Sequence, residues 1–367
     1  MRQIDAGELE SFVRALVLAQ GAPETVATEV AESLVEADLR GHGSHGSIRM
    51  GTRYREMVAE GDIDPQAAVE IERPSDTTAQ VEGNLQYGQV VGRRAVDVGI
   101  DIAREYDVAI VGIRNATHLG RIGEWAERAA DAGLLFAAFV NTGGTDHLVA
   151  PPGSADRQYS TNPLAFGAPT FGATPYPIVL DIATSQVAHG KVTKRAVEGK
   201  PLPEGWVTDE EGNFVTDSQA YEDGVGALLP LGGLTSGHKG FGLAMIAEVF
   251  AGYVGDYTVS GDDVRENVNN GALFMLANPD RFATRAANRA RIETLRDMIQ
   301  NTNYSESVGT GPIAKGDRAV LPGKLEHELR RERIDEGIPF EQATLDLLAD
   351  VARRTGVEAA IPASFEA

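Results

Sequence analysis

Arg40-Gly41-His42-Gly43-Ser44-His45-Gly46 decides how this chain is read. The stretch has the form G-x-G-x-x-G, the glycine pattern that cradles a dinucleotide when it follows a strand and opens a helix. Here it follows a long helix. Pro23 opens that helix at a first-turn position, and Val26, Val30 and Leu34 share one face on the way to Arg40. Further upstream lies another helix. Asp5 can cap it, Leu9, Phe12, Val13, Leu16 and Val17 recur at 3.6-residue spacing, and Gly21 stops it. A third helix, with Tyr54, Met57 and Val58 inward, ends by Gly61. No strand pattern precedes the loop, so a Rossmann fingerprint fails its context test, and nothing else in the chain supplies that motif. A dinucleotide, if bound, is bound another way.

Outward from this loop the texture changes. Short β-like runs, Val69–Glu72 and Thr77–Val81, lead to an amphipathic helix from about Gln89 to Tyr106. The apolar strand Val108–Ile113, the loop Asn115–Gly120, a helix over Gly123–Ala132 and the strand Leu134–Asn141 follow. Pro177–Ile182 and Ala272–Ala277 read as further strands, and Gly240–Gly255 as a buried helix. From Arg285 helices return, with Ile292, Leu295 and Met298 on one face and Leu345, Leu347, Leu348 and Val351 later. The expectation is an α/β protein with a helical layer from both termini (1–70 plus 285–367) around a central mixed sheet (71–284). Repeats and low-complexity tracts are absent from the sequence.

Composition narrows the function. The 367 residues carry a formal net charge of −21 with 42% hydrophobic residues, an ordinary globular balance. A chain this long is expected to split into two substructures. There is no cysteine, which removes disulfides, thiolate metal sites and a thiol nucleophile together. No apolar run approaches the ~20 residues of a membrane span, and no secretory apolar region follows Met1–Asp5, so a cytoplasmic enzyme is expected. Only six of the 33 basic residues are lysines. A salt-adapted, halophilic protein and an ordinary acidic one both fit that texture. No basic stripe exists for a nucleic acid or an anionic membrane, so an anionic small molecule needs a local cationic pocket.

Four clusters can carry chemistry. In the first, His42, Ser44 and His45 crowd into four residues and Arg49 follows four after His45. If a helix starts at Ser47, His45 and Arg49 can address one small ligand. A guanidinium that grips a carboxylate beside an imidazole that exchanges a proton is the pair a 2-oxo acid needs. A polar interdomain loop with capping residues would use the same residue types. A His42/His45 metal pair lacks a third ligand at helical spacing, so no metal is expected.

The second cluster, Thr117-His118-Leu119-Gly120-Arg121-Ile122-Gly123, joins a strand to a helix, where backbone N–H groups accept anions. An ordinary turn would also need its glycines. The third is Thr161-Asn162-Pro163, with Asp181-Ile182-Ala183-Thr184-Ser185 and His189-Gly190-Lys191 after it. Asp181, at a strand end, could accept from a ribose hydroxyl. The fourth is Ser236-Gly237-His238-Lys239-Gly240, whose Lys239 could meet a phosphate at a helix start, although a surface lysine is the plain alternative. Serine-hydrolase, P-loop and zincin motifs are all missing.

In sequence order, the loop 40–46 with Arg49, Thr117–Arg121, Thr161–Phe166, Pro177–Ser185, Pro203–Trp206, Gly237–Leu243 and Leu321–Gly323 resemble the type 2 malate/L-lactate dehydrogenase family. That family includes sulfolactate and ureidoglycolate dehydrogenases, diketogulonate reductase and piperideine/pyrroline-2-carboxylate reductases. The resemblance implies a non-Rossmann enzyme using NAD or NADP, acting as a homodimer, with the cofactor in the 71–284 body. It implies His45 as proton donor supported by Ser44, Arg49 on the substrate carboxylate, His118 as a second acid/base, and Thr161 with His189 and Gly190 at the substrate. It implies cofactor contacts from Leu119, Gly120, Arg121, Ile122 and Gly123, from Asp181, Ile182 and Ala183, from His238 and Lys239, and from Gly323, Lys324 and Leu325.

Two positions depart from the family pattern. The cyclic-imine reductases carry an Asp after His-Gly, where this chain has Lys191, and an acidic residue is expected after Gly323, where it has Lys324. A cation at 191 opposes a protonated imine and favours an anionic substrate group. The reading is therefore interconversion of a small 2-hydroxy acid and its 2-oxo acid. Cyclic-imine reduction, ureidoglycolate oxidation and a non-catalytic nucleotide-binding protein stand as alternatives.

Overall fold

A computed structural model describes residues 1–144, 147–262, 269–309 and 317–365. A short strand at Arg2–Ile4, paired antiparallel with Ile338–Phe340, precedes two helices, α1 (Ala6–Ala19) and α2 (Glu24–Leu39). Asp5 caps α1 by accepting from the Glu8 N–H at 3.0 Å. Pro23 takes the N-cap of α2, just outside the helix, where its missing N–H costs nothing. Leu9, Phe12, Leu16, Val30 and Leu34 are buried against Leu345, Leu348 and Val351 of α9 (Gln342–Arg354), so chain start and chain end share one apolar core.

The body is a seven-stranded sheet. Its strands in chain order are β1 (Glu70–Ser75), β2 (Thr78–Glu82), β3 (Val108–Ala116), β4 (Leu135–Thr142), β5 (Leu164–Ala168), β6 (Ile178–Ile182) and β7 (Asn270–Ala277). They lie side by side as β1-β2-β3-β7-β4-β5-β6. Only β2 and β3 run parallel, joined by α3 (Gly88–Tyr106); every other neighbouring pair is antiparallel. Helices α3 and α4 (Gly123–Asp131) cover one face, burying Val96, Ile100, Trp125, Phe136 and Phe274. The mixed sheet follows from this: the parallel neighbours β2 and β3 need a helical crossover, β3 and β4 flank β7 and are joined through α4, and the β1–β2, β4–β5 and β5–β6 connections are returns between antiparallel neighbours.

The opposite face is covered only in part, by α6 (Gly233–Gly255), whose backbone leaves helical geometry at Ser236. A third apolar cluster, which includes Leu148, Tyr159, Val192, Leu202 and Tyr221, forms beside α5 (His189–Val197). Neither strand β5 nor this third cluster is among the elements expected from the sequence. Two helices lead to α9: α7 (Arg285–Gln300) and α8 (Lys324–Glu336). Helix α7 contributes no buried residue: Leu295 and Met298, which share one face in the sequence, are 46% and 59% exposed.

Candidate active site

The 40–49 loop folds around one buried carboxylate. Asp38 extends the α2 face of Val30 and Leu34 into the core, and its Oδ2 accepts the Ser47 N–H at 2.8 Å. Burial pushes the Asp38 carboxyl up to about 6, with the Ser47 hydrogen bonds pulling the other way. Gly46 lies so close that a Cβ there would overlap the Asp38 carboxyl. The chain then makes a short 3₁₀ turn, Gly43–His45, and a π-helical turn, Met50–Tyr54, before an α-helix begins at Arg55. The helix expected from Ser47 does not start there; turns occupy Gly46 to Ile48 instead. Arg49 still reaches back, donating its Nε–H to the Ser44 carbonyl at 2.8 Å.

This loop delivers His45 and Arg49 to a cavity of about 530 Å³ that Tyr54, Gly120, Asp181 and Lys191 also line. His118, from the turn after β3, stacks beside His45 with ring centroids 5.4 Å apart and planes 21° apart. Ser44 Oγ sits 3.1 Å from His45 Nδ1. The Tyr54 hydroxyl sits 2.7 Å from His118 Nδ1 and accepts from Gln89 Nε2 at 2.7 Å. Burial holds both imidazoles well below their ordinary pKa. His118, Arg49, His42 and Lys191 depress His45 further, and Arg49 depresses His118. At neutral pH both rings are uncharged bases beside two cations.

Helix α5 closes the far wall with His189, Gly190 and Lys191 at its first turn. Gly190 is a contact requirement, since a Cβ would come within 2.7 Å of the Arg49 guanidinium. His189 faces Glu222 at 3.5 Å, and Thr193 donates to the same carboxylate at 2.8 Å. Thr161, Ile122, Ile182 and Ala183 also line the cavity. The Thr161 carbonyl is fixed by the Thr184 N–H at 2.9 Å.

Several residues that the sequence nominates for the site stand behind this wall or away from it. Leu119 is buried, its N–H donating to Asn270 Oδ1 at 3.0 Å. Arg121 is buried and paired with both oxygens of Glu127, so its charge is consumed internally. The Gly123 N–H is taken by Asp181 Oδ2 at 2.7 Å, so the start of α4 already holds an anion of the protein's own. His238 and Lys239 are exposed on α6, and neither lines the cavity. Gly323 caps α8 at φ +92°, packed against Pro177, while Lys324 pairs with Glu328 at 3.4 Å and Leu325 is 40% exposed. His42, by contrast, lines the cavity and faces Glu326 at 3.6 Å. Among the described residues no three potential metal ligands gather.

Sequence reasoning passes over Asp38, Gln89 and Asn270 and counts Tyr54 as core. A carboxylate at the i+4 position of the Val30–Leu34 face is the readable signal for Asp38. Tyr54 and Gln89 give none, since either suits an ordinary buried face.

The malate/L-lactate dehydrogenase family profile matches residues 4–349. The chain belongs to this family. A malate dehydrogenase of Pyrococcus abyssi is 33% identical over 362 residues, covering 97% of this chain and 96% of that one. The structure of malate dehydrogenase from Pyrococcus horikoshii superposes with a TM-score of 0.81 at 31% identity, covering 97% of this chain and 96% of that one. The family also reaches the Δ1-piperideine-2-carboxylate reductase structure from Pseudomonas syringae, with a TM-score of 0.79 at 30% identity, covering 96% of this chain and all of the other. The family places this chain among oxidoreductases that act on the CH–OH group of hydroxy acids. The cavity suits a nicotinamide group: Ile122, Val140 and Ile182 offer an apolar wall, and the Thr142 hydroxyl, which accepts from Asn270 Nδ2 at 3.2 Å, keeps its own proton to donate to an amide.

Proposed function

We propose that the protein interconverts a small 2-hydroxy acid and its 2-oxo acid with NAD or NADP, and that the substrate carries a second anionic group. The observation that carries this reading is the meeting of Arg49, Lys191, His45 and His118 on one cavity in a chain of net charge −21. Arg49 grips the carboxylate beside the reacting carbon, and Lys191 receives the second anion. His45, neutral at rest, takes the hydroxyl proton during oxidation and returns it during reduction. Ser44 steadies the ring through Nδ1. Thr161, His189 and Gly190 complete the substrate wall. A bound nicotinamide supplies the hydride acceptor or donor. Gly120, Ile122 and Asp181 to Ala183 are the residues that would hold it, with Leu119, Arg121 and Gly123 supporting from behind. His238, Lys239 and Gly323 to Leu325 remain candidates for the far end of the cofactor.

The partner we assign is a second copy of the chain. On the sheet face away from α3 and α4, the register aligns Met275, Ala137, Phe166 and Leu180 in one cross-strand row. Met275, Phe166 and Leu180 are 38–39% exposed. The row continues through Phe139 to Phe250 of α6, whose Ile246, Val249 and Tyr253 are exposed as well. An apolar surface of this kind supports an interface with a second copy. No helix among the described residues is long and apolar enough to cross a membrane; the compartment we assign is the cytoplasm.

The test is initial-rate absorbance in the reduced-nicotinamide band with malate, lactate, sulfolactate and ureidoglycolate, each with NAD and NADP. Turnover highest on a dianionic hydroxy acid supports the reading. Cofactor binding with no turnover on any of them points to a non-catalytic protein. Faster reduction of pyrroline-2-carboxylate than of any 2-oxo acid points to cyclic-imine chemistry and against the role given to Lys191.

A further inference from the structure

His45 and His118 look equivalent as bases, but their partners differ. Ser44 faces His45 Nδ1 with a rotatable hydroxyl that can donate or accept, so that ring can change protonation without breaking a contact. His118 Nδ1 meets a phenol whose direction is set from behind. Gln89 Nε2 donates into the Tyr54 oxygen, which commits the phenol's own proton toward His118. Burial pushes the Tyr54 hydroxyl up to about 12, so it keeps that proton. Turning the Gln89 amide around would reverse the chain of donors. It would also place an NH₂ where Gln89 Oε1 now sits buried with no partner among the described residues. An orphaned buried donor is rarer than an orphaned carbonyl.

The scaffold fixes all three members together. The first turn of α3 is bound to the His118 turn: the Gly88 N–H donates to Thr117 Oγ1 at 2.9 Å, and Thr117 Oγ1 donates to the Gln86 carbonyl at 3.1 Å. Gly88 itself lies so close to the His118 carbonyl that a Cβ would overlap it. Helix α3 therefore delivers Gln89 at a fixed distance from the ring it controls.

We propose that Gln89 and Tyr54 are positioning residues that hold His118 as the neutral imidazole protonated on Nε2, a fixed hydrogen-bond donor to the reacting oxygen, and leave proton exchange to His45. The proposal rests on the hydroxy-acid reading for the identity of the reacting oxygen, but the tautomer itself does not depend on it.

The experiment uses the full chain labelled with ¹⁵N-histidine, with long-range ¹H–¹⁵N spectra recorded at pH 8 for the unmodified protein, Tyr54→Phe and Gln89→Leu, and signals assigned with His118→Asn. The expected result is a single Nε2–H form of His118 in the unmodified protein and an exchange-averaged ring in both variants. In turnover, Tyr54→Phe should lower kcat by about 10- to 100-fold, less than the ~10²–10³ lost when a donor to a developing oxyanion is removed outright, with KM changed less than about threefold. A proton on Nδ1 of His118 in the unmodified protein, or a Tyr54→Phe spectrum identical to it, overturns the proposal. Since the spectra need no substrate, a correct tautomer with no turnover on any hydroxy acid would sink the assigned reaction and leave the relay standing.

Discussion

Asp38 and Gly46 occupy adjoining space: the carboxyl fills the place a side chain at 46 would need, and the same carboxyl holds the Ser47 N–H. The loop that carries His45 is thus moulded on a residue of α2. Gly46 has φ −93°, which any residue adopts, so the need for glycine is steric rather than conformational. Gly46→Ala should destabilise the fold by about 1–3 kcal/mol through overpacking. In an Asp38→Ala background the same change should cost less, because the clashing group is gone. Denaturant unfolding of the four proteins in the cycle measures the coupling.

Gly190 plays the matching part across the cavity. Gly190→Ala pushes a methyl against the Arg49 guanidinium and against the Ser44 carbonyl on which Arg49 rests. The expected outcome is a KM for the hydroxy acid raised about tenfold, near 1.4 kcal/mol of lost binding, with kcat little changed. Steady-state kinetics separates the two parameters. A fall in kcat at constant KM would mean that Arg49 does not bind the substrate.

The pH profile should carry the sign of the depressed imidazoles. A base must be neutral to take the hydroxyl proton, and His45 is held below the usual 6.5 by burial, His118, Arg49, His42 and Lys191. The acid limb of kcat/KM for oxidation should therefore lie below 6.5. Linkage to folding has the same direction. The unfolded chain takes up these protons first, so the contribution of His45 and His118 is intact above 6.5 and declines as pH falls below it. Asp38 works oppositely: its carboxyl is raised from 3.8 to about 6, so it costs stability as pH rises through that window. Rate profiles and unfolding midpoints between pH 4 and 8 check both slopes.

The exposed row on the sheet predicts assembly. Phe166→Glu and Ile246→Glu each put a charge on the apolar surface without entering the core behind α3 and α4. Sedimentation should show a dimer for the unmodified chain and a monomer for the double variant, with helical content retained. A monomeric unmodified chain would contradict the assigned partner.

Much of this architecture is readable from local pattern. Periodicity locates α1, α3 and α9, and the apolar run at 108–113 locates β3, because each buries one continuous face. Strand β5 stays hidden because five residues behind Pro163 are too short to show an alternation. The apolar stripe of α7 buries nothing among the described residues, because a stripe reports a face suited to burial without saying what covers it. The site shows the same division. Residues with chemistry of their own, such as His45, Arg49, His118 and Lys191, stand out by type and spacing. Tyr54 and Gln89 acquire meaning only when α3 meets the turn after β3, a contact no local pattern encodes.

The most direct test is the pair His45→Ala and Arg49→Ala assayed side by side for hydroxy-acid oxidation. Loss of the base should lower kcat by about 10²–10⁴ with KM nearly unchanged. Loss of the guanidinium should raise KM by about 10²-fold, on the scale of one or two charge-assisted hydrogen bonds of about 1.5–3 kcal/mol each. Near-normal turnover in His45→Ala, or an unaltered KM in Arg49→Ala, would contradict a cavity in which the two groups act on one small anion.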